Sequence, residues 1–177
     1  MPNSPKTLLH TALYPEAKPI IHSFNLIQNK LYEPLKVFEN DDYILVVGGI
    51  GKDKTKQCLP TVYENFNISK AVNVGIAGCK DTRVKLGSLF CTNQTLEGIE
   101  KGSITCVNTP LDDATKLDTL LVDMESDAFL EISRNYLKDN NIFVFKIVSD
   151  YLDTKIPDKS FVYNSIKKSI AKWVIML

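Results

Sequence analysis

The chain has 177 residues, of which 44% are hydrophobic and 24% are charged, and its 21 basic residues balance 21 acidic ones. This length and composition predict a single globular domain that spans residues 1–177. Because positive charge is not in excess, nucleic acid and anionic membrane surfaces are not expected as partners.

The N-terminal residues MPNSPKTLLH lack the apolar core of a signal peptide, and no apolar run approaches the roughly 18 residues that suggest a membrane span. A cytoplasmic location is therefore expected. The four cysteines form no C-x-x-C pair, and the two histidines lie far upstream of them, so no metal site is predicted. We expect the cysteines to be small buried thiols in a reducing compartment.

The N-terminal third of the chain predicts strands with one short helix between them. A strand is predicted over Lys6–Leu13, and a helix with the sequence EAKPIIHSF follows Pro15. Lys30–Phe38 and Tyr43–Val47 are predicted to pair as a hairpin. The second of these segments is apolar at successive positions, which is typical of a strand that is covered on both faces.

The rest of the chain continues this alternation of apolar strands and helical segments. The further predicted strands are Lys70–Val74, Ser88–Thr92, Ser103–Val107 and Asn141–Val148. The further predicted helices are Lys52–Phe66, which Pro60 must kink or interrupt, Ser126–Lys138 and Ser160–Leu177. Residues 109–122 are the least patterned segment and are predicted to form a loop. This order predicts a three-layer α/β fold, with a mostly parallel mixed central sheet and helices on both faces.

Acidic and glycine-rich segments follow the predicted strands, where ligands bind in folds of this class. Glu16 follows the first strand, Asp150 follows the strand Asn141–Val148, and Glu125 directly precedes a helix. Glycine turns follow two other strands, with the sequences GGIGK and GIAG. Each feature alone is compatible with a structural role, such as a turn, a cap or a favourable helix dipole. Together they predict that three carboxylates meet at one edge of the sheet.

The same segments resemble those of a known superfamily. In chain order TAL-x-x-EAKP, GGIGK, NVGIAG, VDMES and IVSDYLD are similar to segments of the purine nucleoside phosphorylases and the methylthioadenosine/S-adenosylhomocysteine nucleosidases. The resemblance runs from about Leu8 to Phe161. VDMES resembles the V-E-M-E segment of that superfamily, with Asp123 at the first acidic position, and SDYLD resembles its S-D-x-x-D segment. The resemblance implies a nucleoside phosphorylase-like fold, a homodimer, and a reaction without a cofactor or a metal.

The resemblance also implies a role for each acidic residue. Cleavage of an N-ribosidic bond needs an acid for the leaving base and a positioned nucleophile. Asp150 would protonate the purine N7, for which its carboxyl group must hold a proton near neutral pH, and Ser149 would orient Asp150 or touch the base. Glu16 would activate the attacking water. Glu125 would bind ribose hydroxyl groups, and Met124 would pack against the sugar.

Further substrate-binding residues follow from the same resemblance. The backbone of Gly75, Ile76, Ala77 and Gly78 would face the sugar and the base, although the superfamily often has a hydroxyl residue where this chain has Ile76. Phe161 would line the pocket of the ribose 5′ substituent, with a place in the core of the last helix as the alternative. The expected substrate is methylthioadenosine, S-adenosylhomocysteine or a related 6-aminopurine nucleoside.

Phosphorolysis is the first alternative to hydrolysis. Phosphorylases of the superfamily hold phosphate with arginines, one of which precedes the V-G of the glycine-rich strand, where this chain has Asn73. Arg83 and Arg134 are the only arginines, and a phosphate dianion needs clustered positive charge. Together with the water-activating Glu16, this scarcity favours hydrolysis.

The second alternative is a catalytically poor relative that binds a nucleoside or acts as an interaction domain. Its support is the interval between Thr92 and Asp123, which is shorter than in typical members of the superfamily and contains no aromatic residue to stack on a purine. The base pocket is then expected to be completed by Phe90, by Tyr151 or by a partner subunit.

Overall fold

The computed structural model of the chain describes residues 4–153 and 157–177. Its helices are α1 (Tyr14–Phe24), α2 (Lys52–Asn65), α3 (Ser126–Ser133) and α4 (Lys159–Trp173). Its strands are β1 (Lys6–Thr11), β2 (Ile27–Gln28), β3 (Lys36–Glu39), β4 (Tyr43–Val47), β5 (Ile68–Cys79), β6 (Leu89–Cys91), β7 (Glu100–Lys101), β8 (Ile104–Cys106), β9 (Leu121–Asp123) and β10 (Ile142–Asp150). Short 3-10 turns cover Lys30–Tyr32, Ala114–Lys116, Asp139–Asn141 and Val174–Met176.

The strands form one mixed sheet with the order β2-β3-β4-β1-β5-β10-β6-β7. Its centre is parallel, because β4, β1, β5 and β10 all run in the same direction. The flanking strands β3 and β6 are antiparallel to their central neighbours. The end of β5 also pairs with β9, and β9 pairs with β8. The predicted α/β fold with a mostly parallel mixed sheet is confirmed.

Helices cover both faces of this sheet. The apolar side chains of α1 and α4 pack on one face with Leu9 and Phe145, whereas those of α2 and α3 pack on the other face with Leu8 and Val144. All four of these strand residues are fully buried. Because successive side chains of a strand point to opposite faces, a sheet between two helical layers needs apolar residues at consecutive positions. This is the physical reason for the unbroken apolar runs in the sequence.

Several predicted boundaries differ from the structure. The hairpin is confirmed, but its first strand is confined to Lys36–Glu39, because Asn29 accepts a hydrogen bond from the Leu31 amide and caps a 3-10 turn before it. Pro60 does not end α2, whose apolar side packs on the sheet on both sides of the proline. The predicted helix Ser126–Lys138 is helical only to Ser133. The predicted loop 109–122 contains a 3-10 turn and the first residues of β9.

The described residues contain neither a membrane-spanning helix nor a cluster of metal-binding side chains. None of the described helices is both long and apolar enough to pass through a bilayer. Within residues 4–153 and 157–177 no group of three or more His, Cys, Asp and Glu side chains is arranged to hold a metal ion. All four cysteines are free and buried, as predicted.

Candidate active site

A cavity of about 240 Å3 opens at the carboxyl ends of the parallel strands. Glu16, in the first turn of α1, Glu125, at the start of α3, and Asp150, at the end of β10, all line it. The structure therefore brings together the three carboxylates that the sequence places far apart. The other predicted substrate-binding residues on its wall are Ile76, Ala77, Gly78, Met124 and Ser149.

Glu16 is buried and held by backbone amides. Its Oε2 atom accepts hydrogen bonds from the amides of Ala12 and Leu13, at 3.0 and 2.8 Å, and its Oε1 atom accepts one from the amide of Ile76, at 3.0 Å. Burial raises the pKa of Glu16, although the amides of Ile76 and Leu13 oppose this shift. The carboxyl group thus fixes the turn after β1 against the end of β5. Because its pKa is raised, it accepts a proton more readily than an ordinary glutamate.

A buried ion pair lies beside Glu16. Lys146, in the middle of β10, is 1% exposed, and its Nζ atom lies 2.7 Å from Oδ2 of Asp123. Burial alone would lower the pKa of Lys146, but Asp123, Glu125 and Glu16 together raise it, so the lysine stays charged. Burial alone would raise the pKa of Asp123, but Lys146 and Ser126 hold it below its ordinary value. The site therefore contains a charged lysine next to its carboxylates.

Gly75 keeps the space between Glu16 and Lys146 open. A Cβ atom at this position would lie 3.1 Å from Glu16 Oε1 and 3.3 Å from Lys146 Nζ. Among the described residues, the ion-pair partner of Lys146 is Asp123 and not Glu16. Glu16 Oε1 and Lys146 Nζ thus both border the space next to Gly75 without forming an ion pair with each other. Gly75 does not line the cavity. Because it has no side chain, it leaves room for Glu16 and Lys146.

The glycine-rich segment 48–51 holds Glu125 in place. Gly51, at the start of α2, donates its amide hydrogen to Glu125 Oε1 at 2.7 Å. Gly51 has φ +97°, a conformation that other residues rarely adopt. Burial raises the pKa of Glu125. Ile50, between the glycines, is half-exposed and forms part of the cavity wall.

Asp150 is oriented by two donors. Ser149 Oγ donates to Oδ2 at 2.6 Å, and the amide of Leu152 donates to Oδ1 at 3.0 Å. Leu152 adopts φ +62°, in the left-handed region that a residue with a branched side chain seldom occupies. A Cβ atom at Gly78 would lie 2.8 Å from Leu152 Cδ2 and 3.1 Å from Asp150 Oδ1, so only glycine leaves room for this arrangement.

Aliphatic side chains form the wall next to Asp150. Phe90 is buried with Tyr151 in a separate cluster, and the Tyr151 hydroxyl donates to the carbonyl of Val84 at 2.6 Å, so neither ring lines the cavity. The expectation that one of them completes the base pocket is corrected. The wall consists of the aliphatic residues Val107, Leu111, Val122 and Leu152.

Phe161 does not line the cavity either. It lies in the first turn of α4 and packs against the hydrophobic core on the α1–α4 side of the sheet. The structure therefore places it in the core, which was the alternative expectation, because the apolar side of α4 faces the sheet.

Both arginines lie away from the cavity. Arg83 is 89% exposed and pairs with Asp81, and Arg134 pairs with Asp139. Asn73 is buried beneath the site, where its Nδ2 atom lies 2.8 Å from His10 Nδ1. The described lining of the cavity therefore offers no arginine to a phosphate ion.

Three residues in or next to the site were not predicted from the sequence. Lys146 could have been recognised as the one charged residue in the apolar strand FVFKIV, since an unpaired charge is not tolerated there. Leu152 carries no sequence signal, because a left-handed leucine is set by tertiary contacts. His10 is fully buried with its pKa lowered to about 3, first by burial and then by Lys146, and it too ends an apolar run.

Comparisons with solved structures identify the fold. The chain is similar to the 5′-methylthioadenosine/S-adenosylhomocysteine nucleosidase (MTAN) of Helicobacter pylori, with a TM-score of 0.81, 14% sequence identity, and 97% of each chain covered. It is also similar to the futalosine hydrolase of H. pylori strain 26695, with a TM-score of 0.79, 14% identity, and 97% of this chain and 96% of that chain covered. An MTAN protein of Chlamydia trachomatis gives a TM-score of 0.73 and 19% identity, with 97% and 96% covered.

No protein-family model and no curated protein sequence shows significant similarity to the chain. The predicted nucleoside phosphorylase-like fold is confirmed by the structural comparisons. At these identities the likeness concerns the fold.

Proposed function

We propose that this chain, which has the fold of bacterial nucleosidases, hydrolyses the N-glycosidic bond of a purine nucleoside and releases the free base. The observation that carries the proposal is the meeting of Glu16, Glu125 and Asp150 around one cavity. An acid, a base and a sugar-binding carboxylate are the groups that this reaction needs. The similar structures are named as nucleosidases and a futalosine hydrolase, which supports the same class of reaction.

Asp150 is proposed as the general acid. As the bond between C1′ and the base breaks, its electron pair moves onto the base, and Asp150 delivers a proton to the purine N7. Ser149 suits both protonation states, because its hydroxyl lies within reach of Asp150 Oδ2 and of the Ala77 carbonyl, at 2.6 and 3.3 Å. It can donate to the ionised carboxylate, or donate to the carbonyl and accept from the protonated acid.

Glu16, which lines the cavity, is proposed to activate the attacking water. The water donates a hydrogen bond to the Glu16 carboxylate. As its oxygen attacks C1′, the water loses a proton to Glu16, whose raised pKa makes it a better base than an ordinary glutamate. The products are the free purine and the free sugar.

Glu125 and Met124 are proposed to bind the sugar. One oxygen of Glu125 accepts a hydrogen bond from the Gly51 amide. The other oxygen is left to accept hydrogen bonds from ribose hydroxyl groups. The negative charge of the buried carboxylates also favours the cationic character that the sugar develops at the transition state. Met124 supplies an apolar surface on the cavity wall.

Hydrolysis is favoured over phosphorolysis by the charges around the cavity. Phosphate needs clustered or bidentate positive groups, and both arginines are engaged elsewhere on the surface. Lys146, the one buried cation in the part of the chain that the structure describes, is already paired with Asp123. Water, in contrast, needs the base that Glu16 supplies.

The substrate is proposed to be methylthioadenosine, S-adenosylhomocysteine or a related 6-aminopurine nucleoside. The oxygens of Asp150 can accept hydrogen bonds from a 6-amino group, whereas a 6-oxo group would need a donor. A homodimer and a cytoplasmic location stay predictions.

The test is a measurement of free base from a panel of nucleosides, with and without inorganic phosphate. The panel contains 5′-methylthioadenosine, S-adenosylhomocysteine, adenosine and inosine. We expect release of adenine without phosphate. Release that requires phosphate would identify a phosphorylase, and binding without any release would identify a nucleoside-binding protein.

A further inference from the structure

Leu152 forms the part of the cavity wall that adjoins the proposed general acid. Its backbone amide donates a hydrogen bond to Asp150 Oδ1 at 3.0 Å, and the residue lines the cavity. In the proposed function the carboxyl group of Asp150 faces both N7 and the 6-amino group of the purine. Since these two positions lie side by side on the purine, the Leu152 side chain borders the 6 position of a bound base.

The side chain of Leu152 is tightly enclosed by its neighbours. It belongs to an aliphatic cluster with Leu117 and Val122. Its Cδ2 atom lies 2.8 Å from the point that a Cβ atom of Gly78 would occupy, and Val122 Cγ1 lies 3.2 Å from the same point. These contacts hold the side chain over Gly78, so a ligand group could displace it only by disturbing close packing.

The backbone of Leu152 fixes the direction of this side chain. The residue has φ +62°, and its amide is bonded to Asp150. To turn the side chain away from the base, Leu152 would have to leave the left-handed region and break the hydrogen bond that orients Asp150. The arrangement that positions the acid therefore also keeps an isobutyl group at the base end of the cavity.

An alkyl group on the 6-amino nitrogen would compete with Leu152 for space. A free 6-amino group needs room for one nitrogen atom, whereas an alkyl group adds carbon atoms on the side of Leu152. An N6-alkyl purine keeps one N–H group and can still donate a hydrogen bond to Asp150. Its only penalty is therefore steric, and overpacking of a close contact weakens binding by roughly 10- to 100-fold.

We propose that Leu152 limits the size of the base: the site accepts purines with a free 6-amino group and rejects purines with an alkyl group on that nitrogen. The inference rests on the proposed nucleosidase function and names a specificity-determining residue of that site. Discrimination then comes from the shape of an aliphatic wall, next to the carboxyl group that both kinds of purine can reach.

Three nucleosides test the proposal in the natural chain. They are 5′-methylthioadenosine and its N6-methyl and N6-propyl derivatives. We expect kcat/KM for release of the free base to fall in this order. The value for the propyl compound should be at least about 30-fold below that of the unsubstituted compound. Equal values for these two compounds would overturn the proposal.

Substitution of Leu152 locates the effect. In Leu152→Ala the ratio between the unsubstituted and propyl compounds is expected to narrow by about tenfold or more, because the propyl group enters the space that the isobutyl group leaves. Leu152→Gly is a second variant that is free of the steric cost of φ +62°, so it gives the same test if the alanine variant does not fold. An unchanged ratio would show that Leu152 does not set the limit.

Leu26→Ala is the matched control. Leu26 and Leu152 are equally buried, each 6% exposed, but Leu26 packs in the core on the α1–α4 side of the sheet and lies outside the described cavity lining. The ratio is expected to stay unchanged in this variant. An equal narrowing in Leu26→Ala would mean that general loosening of the fold, and not the wall next to Asp150, admits the larger base.

The outcomes separate this inference from the function on which it rests. If the natural chain releases no base from any of the three compounds, the nucleosidase function fails and the inference fails with it. If the unsubstituted and propyl compounds are cleaved equally well, the function stands and the size limit alone is wrong. Poor cleavage of the propyl compound that improves in the Leu152 variants supports both.

Discussion

Lys146 and Asp123 form a buried ion pair beneath the cavity, with Nζ and Oδ2 2.7 Å apart. Both side chains are 1% exposed. Asp123 also accepts hydrogen bonds from the amide and the hydroxyl of Ser126, which fixes the start of α3 and with it Glu125. The pair thus connects the last parallel strand to the helix that presents the sugar-binding carboxylate.

Lys146→Met is expected to be strongly destabilising. The substitution leaves Asp123 buried without its cation, which costs about 3–5 kcal/mol of unfolding free energy. Urea unfolding followed by circular dichroism measures the change. The double variant Lys146→Met/Asp123→Asn is the control and should recover much of the loss, because it removes the unpaired charge. If the double variant is no more stable than the single one, the pair is not the source of the effect.

Asp150→Asn is expected to reduce base release from 5′-methylthioadenosine by about 100-fold or more, because asparagine cannot deliver the proton to the base. The fold should be retained, since the amide oxygen can still accept from Leu152. A ribosyl substrate with an activated leaving group, such as 4-nitrophenyl β-riboside, should lose much less activity because its departure needs no acid. Near-normal turnover of 5′-methylthioadenosine would remove Asp150 from the mechanism.

The acidic side of the pH profile should reflect Glu16 and Glu125. Burial raises the pKa of both carboxyl groups above the ordinary 4.5, and both must be ionised to act. Activity is therefore expected to fall as the pH drops through these raised pKa values, at a midpoint above 4.5. The measurement is kcat/KM against pH, with circular dichroism to confirm folding at each point. A profile that stays flat down to pH 4.5 contradicts this assignment.

Leu152 offers a test of backbone strain. Leu152→Ala and Leu152→Gly both remove the buried side chain, but only glycine is free of the steric cost of φ +62°. We expect the glycine variant to be more stable than the alanine variant by about 1 kcal/mol, the reverse of the order found in most structured positions. Thermal unfolding of the two variants decides it. A more stable alanine variant would mean that the left-handed conformation is not kept.

His10 makes stability depend on pH. Its pKa is lowered from 6.5 in the unfolded chain to about 3 in the fold, chiefly by burial and then by Lys146, so the unfolded chain binds more protons between these values. Its contribution to stability is therefore present above pH 6.5 and is lost as the pH falls towards 3, by at most about 5 kcal/mol.

His10→Gln removes this titration. The variant is expected to show a shallower loss of unfolding free energy than the natural chain between pH 6.5 and the acid limit of folding. Urea unfolding at several pH values measures both slopes. Parallel slopes would show that His10 does not contribute.

The sequence by itself determined the class of fold and the candidate carboxylates. Consecutive apolar residues such as Ile44, Leu45 and Val46 are dictated by a sheet that is covered on both faces, and this requirement is local and visible in a linear chain. Glu16 and Asp150 could be found for a similar reason, since parallel strands end at a common edge and polar residues that follow them gather there.

Only the tertiary structure decided how the site is completed. The ion pair of Lys146 with Asp123, the open space over Gly75 and the left-handed Leu152 depend on contacts between segments distant in sequence. The aliphatic wall that replaces Phe90 and Tyr151 depends on the same contacts. Composition and periodicity report the environment of one residue at a time, whereas the charge of a cavity is set by which side chains are brought together across the sheet.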